Sequence, residues 1–91
     1  MRFELVHQLE GNIHSFYGAG TETVRSTLVW LFKLVTSCPE CQKRIQEELE
    51  NEIDRDQLPS WSDRSKLIYT QAFINEVQRW ASVVPLNLPR R

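Results

Sequence analysis

Cysteine is scarce in this 91-residue chain, and the two it has form one Cys38-Pro39-Glu40-Cys41 pair. One pair falls short of a four-ligand zinc site, and His7 and His14 lack the spacing to complete one. A redox Cys-x-x-Cys expects a preceding strand, whereas a long helical pattern precedes this one. Cys41 instead continues the stripe Cys41, Ile45, Leu49, Ile53, which predicts a small buried side chain. An excess of charge is also missing. Eleven basic against twelve acidic residues leave a net charge of −1, so the electrostatic footprint of a nucleic-acid binder is absent. Lys and Arg gather on no single amphipathic face, which removes support for attraction to a membrane surface. Long apolar runs are lacking too: Thr27 to Val35 is too short for a membrane span and carries Lys33. The N-terminus has no basic region followed by an apolar one, so no secretory signal is legible. No internal repeat or low-complexity tract is present.

What remains is an ordinary globular composition, 41% hydrophobic and 25% charged, with room for one small domain at most. The strongest signal is a helical period. Leu5, Leu9, Ile13, Phe16, Tyr17, Val24, Leu28, Leu31, Phe32 and Val35 recur at spacings of three and four. This predicts a helix from about Phe3 to Thr36, deeply buried from Leu28 to Val35, where it is apolar almost all round. Its middle, Ser15 to Thr23, carries Gly18, Gly20, Thr21, Glu22 and Thr23. Each glycine costs roughly 1 kcal/mol against alanine in a helix interior. A local conflict of this kind marks function or strain, and a bend or widened turn is expected there.

Ser37-Cys38-Pro39-Glu40 reads as a capping box, with Pro39 in the first turn of a second helix from about Pro39 to Ile53. Glu40 and Arg44 are spaced for an i,i+4 pair on that charged surface helix. Asp54 to Pro59 reads as a polar loop, followed by a turn-rich Ser60 to Lys66 whose Trp61 pins it to the body. Thr70 reads as the N-cap of a third helix that runs to Ala81 or Ser82. Val84-Pro85 follows, and Leu86 to Arg91 reads as an extended tail. The fold class is therefore all-α: one long central helix, two shorter helices and an extended tail. Met1 leads directly into what reads as mid-helix sequence, which predicts an internal piece of a longer chain.

Two clusters stand out for chemistry. Gly20, Thr23 and Thr27 share one face of the first helix, flanked by Phe16 and Val24. A glycine beside a threonine hydroxyl makes a notch with one polar handle, able to admit a flat or diatomic ligand. The plainer reading is a close helix crossing, with Thr23 bonded back to the carbonyl of Ala19. Glu76 and Arg79 stand one turn apart on the third helix. On a surface they are a minor pair; buried beside Phe73 and Trp80 they become a structural ion pair.

Taken together, Ala19-Gly20-Thr21-Glu22-Thr23 followed by Glu76-Val77-Gln78-Arg79 resembles the cytochrome P-450 superfamily of haem-thiolate monooxygenases. The first matches that family's oxygen-binding motif, the second its Glu-x-x-Arg motif. Pro39 to Leu49, Asp63-Arg64, Tyr69 to Arg79 and Val84 to Arg90 look like family sequence at the expected places. The resemblance covers nearly the whole chain and is nearest to the animal microsomal clan. It implies that residues 1–91 are a partial domain, the family's I, J and K helices. It implies that Thr23 supplies a hydroxyl beside dioxygen, with Glu22 its acidic neighbour in proton delivery. Ala19 and Gly20 would lie against the haem, and Arg90 would reach a propionate. Ser15, Phe16, Ala19, Val84 and Leu88 would face an apolar small-molecule substrate, and Glu76 with Arg79 would form a structural ion pair. It further implies an NADPH-cytochrome reductase as electron donor, an endoplasmic-reticulum location, and membrane anchoring through segments outside residues 1–91. The family's axial cysteine sits in a Phe-x-x-Gly-x-x-x-Cys-x-Gly loop, and neither Cys38 nor Cys41 has that context. The competing reading is a small all-α interaction module whose exposed apolar stripe docks a partner helix.

Overall fold

The computed structural model of the chain describes residues 1–86. Helix α1 spans Arg2–Ser37, α2 Pro39–Glu52 and α3 Ile68–Ala81, with a short 3-10 turn at Trp61–Ser65 before α3. No strand occurs among the described residues, and the class is all-α as expected. The expected tail falls mostly on residues 87–91, outside the described residues, and Leu88 and Arg90 lie there with it.

At 1.5 Å per residue, 36 residues make a rod of about 54 Å. The molecule's longest axis is 59 Å, so α1 sets its length. Helix α3 runs antiparallel along the C-terminal end of α1. Trp30 meets Trp80 edge-on with ring centroids 5.5 Å apart. Further along, Leu34 and Cys38 share a cavity wall with Phe73 and Val77, and in the other direction Thr23 and Thr27 share one with Gln78. Helix α2 lies against both.

Among the described residues, only Leu67 and Val77 are buried. The radius of gyration is 18.6 Å, where a compact chain of this length has about 12 Å. The accessible surface is 8459 Å², against roughly 5,500 Å² for a compact monomer of this mass. The deep burial expected of Leu28 to Val35 is therefore not observed: Phe32 is 67% exposed, and only Leu31, Leu34 and Val35 of the apolar residues there are half-buried. Two 14-residue helices, each about 21 Å long, cannot cover every face of the rod. Nor does α1 widen near Gly18 and Gly20; it is α-helical from end to end.

The helix ends differ from expectation in instructive ways. Ser37 does not cap α2. Its hydroxyl donates back to the Lys33 carbonyl at 2.7 Å, which leaves Ser37 as the last residue of α1. Cys38 takes the cap, its sulfur accepting from the Cys41 N–H at 3.3 Å. Cys41 is half-buried and disulfide-bonded to Cys38, not simply a small core residue. Arg44 passes over Glu40 for the ring of Tyr69, 5.4 Å from its centroid. Trp61 pins nothing to the body: it is exposed, with Arg64 stacked 4.3 Å from its ring. Helix α3 closes at Ser82 in the left-handed region, φ 39°, its N–H donating to the Gln78 carbonyl.

Thr70 is not the cap of α3 either; Leu67 holds that position, and the helix starts two residues before Thr70. The orphan donors of its first turn are satisfied from another helix. The Glu48 carboxylate accepts from the Tyr69 N–H, the Thr70 N–H and the Thr70 hydroxyl, each at 2.8 Å. An anion at a helix N-terminus is favoured by the helix dipole as well as by the bonds. Burial pushes the Glu48 carboxyl up, but the hydrogen bonds from Thr70 and Tyr69 outweigh it and hold the group below the usual carboxylate range.

This clamp has a definite pH signature. A depressed carboxylate stabilises the fold above its unfolded pKa and loses that contribution as pH falls through the folded one. Glu48→Ala should speed amide exchange at Tyr69 and Thr70 about fivefold at neutral pH, the effect of losing a cap worth about 1 kcal/mol. Acidification of the wild type should produce the same loss of protection after correction for intrinsic rates. Unchanged exchange in the variant would show that the clamp does not hold α3.

Candidate functional site

At 100° per residue, Phe16, Gly20, Thr23 and Thr27 fall within about 60° of one another on α1. Trp30 and Leu34 continue the same stripe, so the surface that packs α3 and the surface bearing Gly20 are one. The Thr23 hydroxyl donates to the Ala19 carbonyl at 2.7 Å, and the Thr27 hydroxyl to the Thr23 carbonyl at 2.9 Å. Both protons are thereby directed at backbone, and the oxygen lone pairs face outward as acceptors. A Cβ placed on Gly20 would meet nothing within 4 Å. Gly20 therefore serves no close helix crossing within this chain, and its flank is open.

A cavity of about 260 Å³ lies further along α1, lined by Thr23, Val24, Thr27 and Leu28 of α1 and Gln78 of α3. Gln78 is an interior residue of Glu76-Val77-Gln78-Arg79, so the two motifs meet across one α1–α3 interface. Sequence reasoning did not single out Gln78, because only the register of the two helices brings it to Thr23. Glu22 lies to one side of this face and pairs with Arg25 at 3.7 Å, both well exposed. Ser15, Phe16 and Ala19 are exposed on α1, and Val84 is exposed beyond the end of α3.

On α3, the Arg79 guanidinium grips Glu76 as a fork, Nε donating to Oε2 at 2.8 Å and Nη2 to Oε1. Bidentate geometry of this kind fixes both side chains. The Arg79 hydrogen bond holds Glu76 below the usual carboxylate range, and the same bond raises Arg79. The pair is solvent-exposed here, with side chains 62% and 69% accessible. Glu76 also lines a second cavity of about 240 Å³ with Leu34, Cys38, Phe73, Val77 and Trp80.

Metal chemistry has no ligand set in this region: among the described residues, no group of three His, Cys, Asp or Glu is placed to hold an ion. No helix among them is long and apolar enough to cross a membrane.

The family model for Cytochrome P450 matches residues 6–91. The chain belongs to the cytochrome P450 family. Cytochrome P450 2F3 of Capra hircus is 45% identical over 78 residues, 86% of this chain and 16% of the relative. Cytochrome P450 2A1 of Rattus norvegicus is 44% identical over 77 residues, 85% of this chain and 16% of its own. Cytochrome P450 2A9 of Mesocricetus auratus is 38% identical over 89 residues, 98% of this chain and 18% of its own. The chain thus spans about one-sixth of the length of the relatives it matches. No solved structure matches it. The family is one of haem monooxygenases, and the expected kinship with its animal microsomal members holds.

Because no neighbour crowds Gly20, this P450 chain should gain from a methyl there. Gly20→Ala should raise the thermal midpoint of its far-UV circular dichroism, a stabilisation of about 1 kcal/mol. A lowered midpoint would reveal a neighbour packed over the glycine.

Proposed function

We propose that residues 1–91 are part of a haem domain that inserts one oxygen atom from dioxygen into an apolar small molecule. The observation that carries this reading is the open, small-residue face at Ala19, Gly20 and Thr23, in a chain of this family, with Gln78 closing one side. That face fits a flat macrocycle: Gly20 leaves space against the helix, and the outward lone pairs of Thr23 give one polar handle. It offers no iron ligand, since Cys38 and Cys41 are bonded to each other. The axial thiolate would come from outside these residues.

Haem with an axial thiolate supplies reductive activation of dioxygen. This chain's residues contribute position and protons. Ala19 and Gly20 would leave room for the ring against α1. The Thr23 hydroxyl orders a proton donor on that face, and the neighbouring Glu22 carboxylate takes protons up from solvent, where it is exposed. Ser15, Phe16 and Ala19 would present a largely apolar wall to substrate, with Val84 and Leu88, and Arg90 would hold a propionate. Glu76 and Arg79 hold the domain together, their fork completed by a further segment that covers the pair. A reductase using NADPH supplies electrons, and the protein resides at the endoplasmic-reticulum membrane, anchored by segments other than these.

Two substitutions in the full-length haem protein test this reading. Thr23→Ala should lower product formed per NADPH consumed several-fold, with the lost electrons appearing as hydrogen peroxide. An unchanged ratio would reduce Thr23 to a packing residue. Glu76→Ala should abolish soluble haem-loaded protein, because it strands Arg79 under its cover. A normal carbon-monoxide difference spectrum from that variant would refute the structural assignment.

A further inference from the structure

We propose that Cys38 and Cys41 form a reversible thiol–disulfide exchange site at the corner between α1 and α2, where Cys38 meets an incoming glutathione-class thiol. The two residues occupy the N-cap and third positions of a 14-residue helix and are joined, with Cα atoms 5.3 Å apart. That separation lies within the range a disulfide spans, so the bond closes without unwinding the first turn.

The two sulfurs are not equivalent. Cys38 Sγ accepts the Cys41 N–H at 3.3 Å, one of the free donors at the positive end of α2. The thiolate is the form that reacts, and a backbone donor at a helix N-terminus stabilises it. Cys38 is half-buried and lines the 240 Å³ cavity with Leu34, Phe73 and Trp80, so a small thiol can approach the residue from that side. The Glu76 carboxylate on that wall is matched by Arg79, so it presents little net charge to an anionic peptide.

Exchange balances in two steps. A glutathione thiolate attacks Cys38 Sγ, a mixed disulfide forms there, and the Cys38–Cys41 bond breaks with Cys41 leaving as a thiolate. A second glutathione thiolate attacks the glutathione sulfur of the mixed disulfide, and Cys38 leaves as a thiolate. Oxidised glutathione departs; the two electrons it lost reside on the cysteines, which take up the protons shed by the two thiols. The site needs no sheet, because the helix N-terminus alone supplies the polar environment. Its oxidation state also bears on two helices. The Cys38 N–H donates to the Leu34 and Val35 carbonyls while its side chain caps α2, so one residue ends the first helix and starts the second.

The test uses the full-length haem protein, with each of the two cysteines followed by peptide mapping. Cys41→Ser leaves Cys38 alone with its N–H donor intact, and Cys38→Ser keeps a capping oxygen at the N-cap. With iodoacetamide at neutral pH, Cys38 should alkylate about fivefold faster than Cys41 in native buffer, and the difference should vanish in 8 M urea. In oxidised glutathione the wild type should carry the internal disulfide. Reduced glutathione should open it, with any trapped mixed disulfide on Cys38. Equal rates, a faster Cys41, a ratio unchanged by urea, or no internal disulfide in oxidised glutathione would each overturn the assignment.

Discussion

One stripe of α1 serves two purposes, and most of the structure follows from that. From Phe16 through Gly20, Thr23 and Thr27 to Trp30 and Leu34, the same face of one rod carries the small polar notch and then the apolar seat for α3. The Trp30–Trp80 contact anchors that seat. An edge-to-face aromatic pair contributes about 0.5–1.5 kcal/mol beyond its buried area, a sizeable share where only two of the described residues are buried. Because the helix is uninterrupted, fixing α3 at Trp30 also fixes where Gln78 stands relative to Thr23. Packing at one end sets the geometry of the notch at the other.

The second constraint acts through charge. Helix α3 has no capping side chain of its own, so its first turn depends on a carboxylate from α2. Arg44, one turn before Glu48 on α2, reaches the ring of Tyr69 at the same place. The two helices are joined by a polar clamp and an aromatic–cation contact in place of a continuous apolar core. This is a different economy from a self-contained helical module, in which buried apolar area dominates. The surface that α1 leaves open along Leu9, Ile13 and Phe16 agrees with that reading.

The three helices were legible because their apolar residues recur with a helical period and because Pro39 and Pro85 mark boundaries. The caps were not. Ser37 has a capping side chain, but the Lys33 carbonyl, one turn back, competes for its hydroxyl and wins. Thr70 has the right chemistry for an N-cap, yet Glu48 offers its N–H a partner 22 residues away in sequence, which no local pattern encodes. Burial failed for a related reason. Periodicity tells which face is apolar and says nothing of whether enough chain is present to cover it, as Phe32 illustrates. At the candidate site, Gly20, Thr23, Glu76 and Arg79 were legible from helical spacing, and the resemblance gave them their roles. Gln78 was not, because its place beside Thr23 depends on helix register. The inequivalence of the two cysteines was hidden as well, since it arises from a backbone donor.

The Glu48 clamp also decides where the chain tolerates a change of length. It closes a loop through Asp54 to Ser65 whose only regular element is the short 3-10 turn. Doubling a flexible loop adds only about 0.6 kcal/mol to its closure cost. Residues inserted among Asp54 to Pro59 would leave both ends of the clamp where they are. A single residue inserted into α1 between Thr23 and Trp30 would do the reverse. It would turn the notch by about 100° about the helix axis, carrying Thr23 away from Gln78 while the tryptophan contact stayed intact. The connection between α2 and α3 thus tolerates added length, while the seven-residue interval from Thr23 to Trp30 behaves as a fixed ruler.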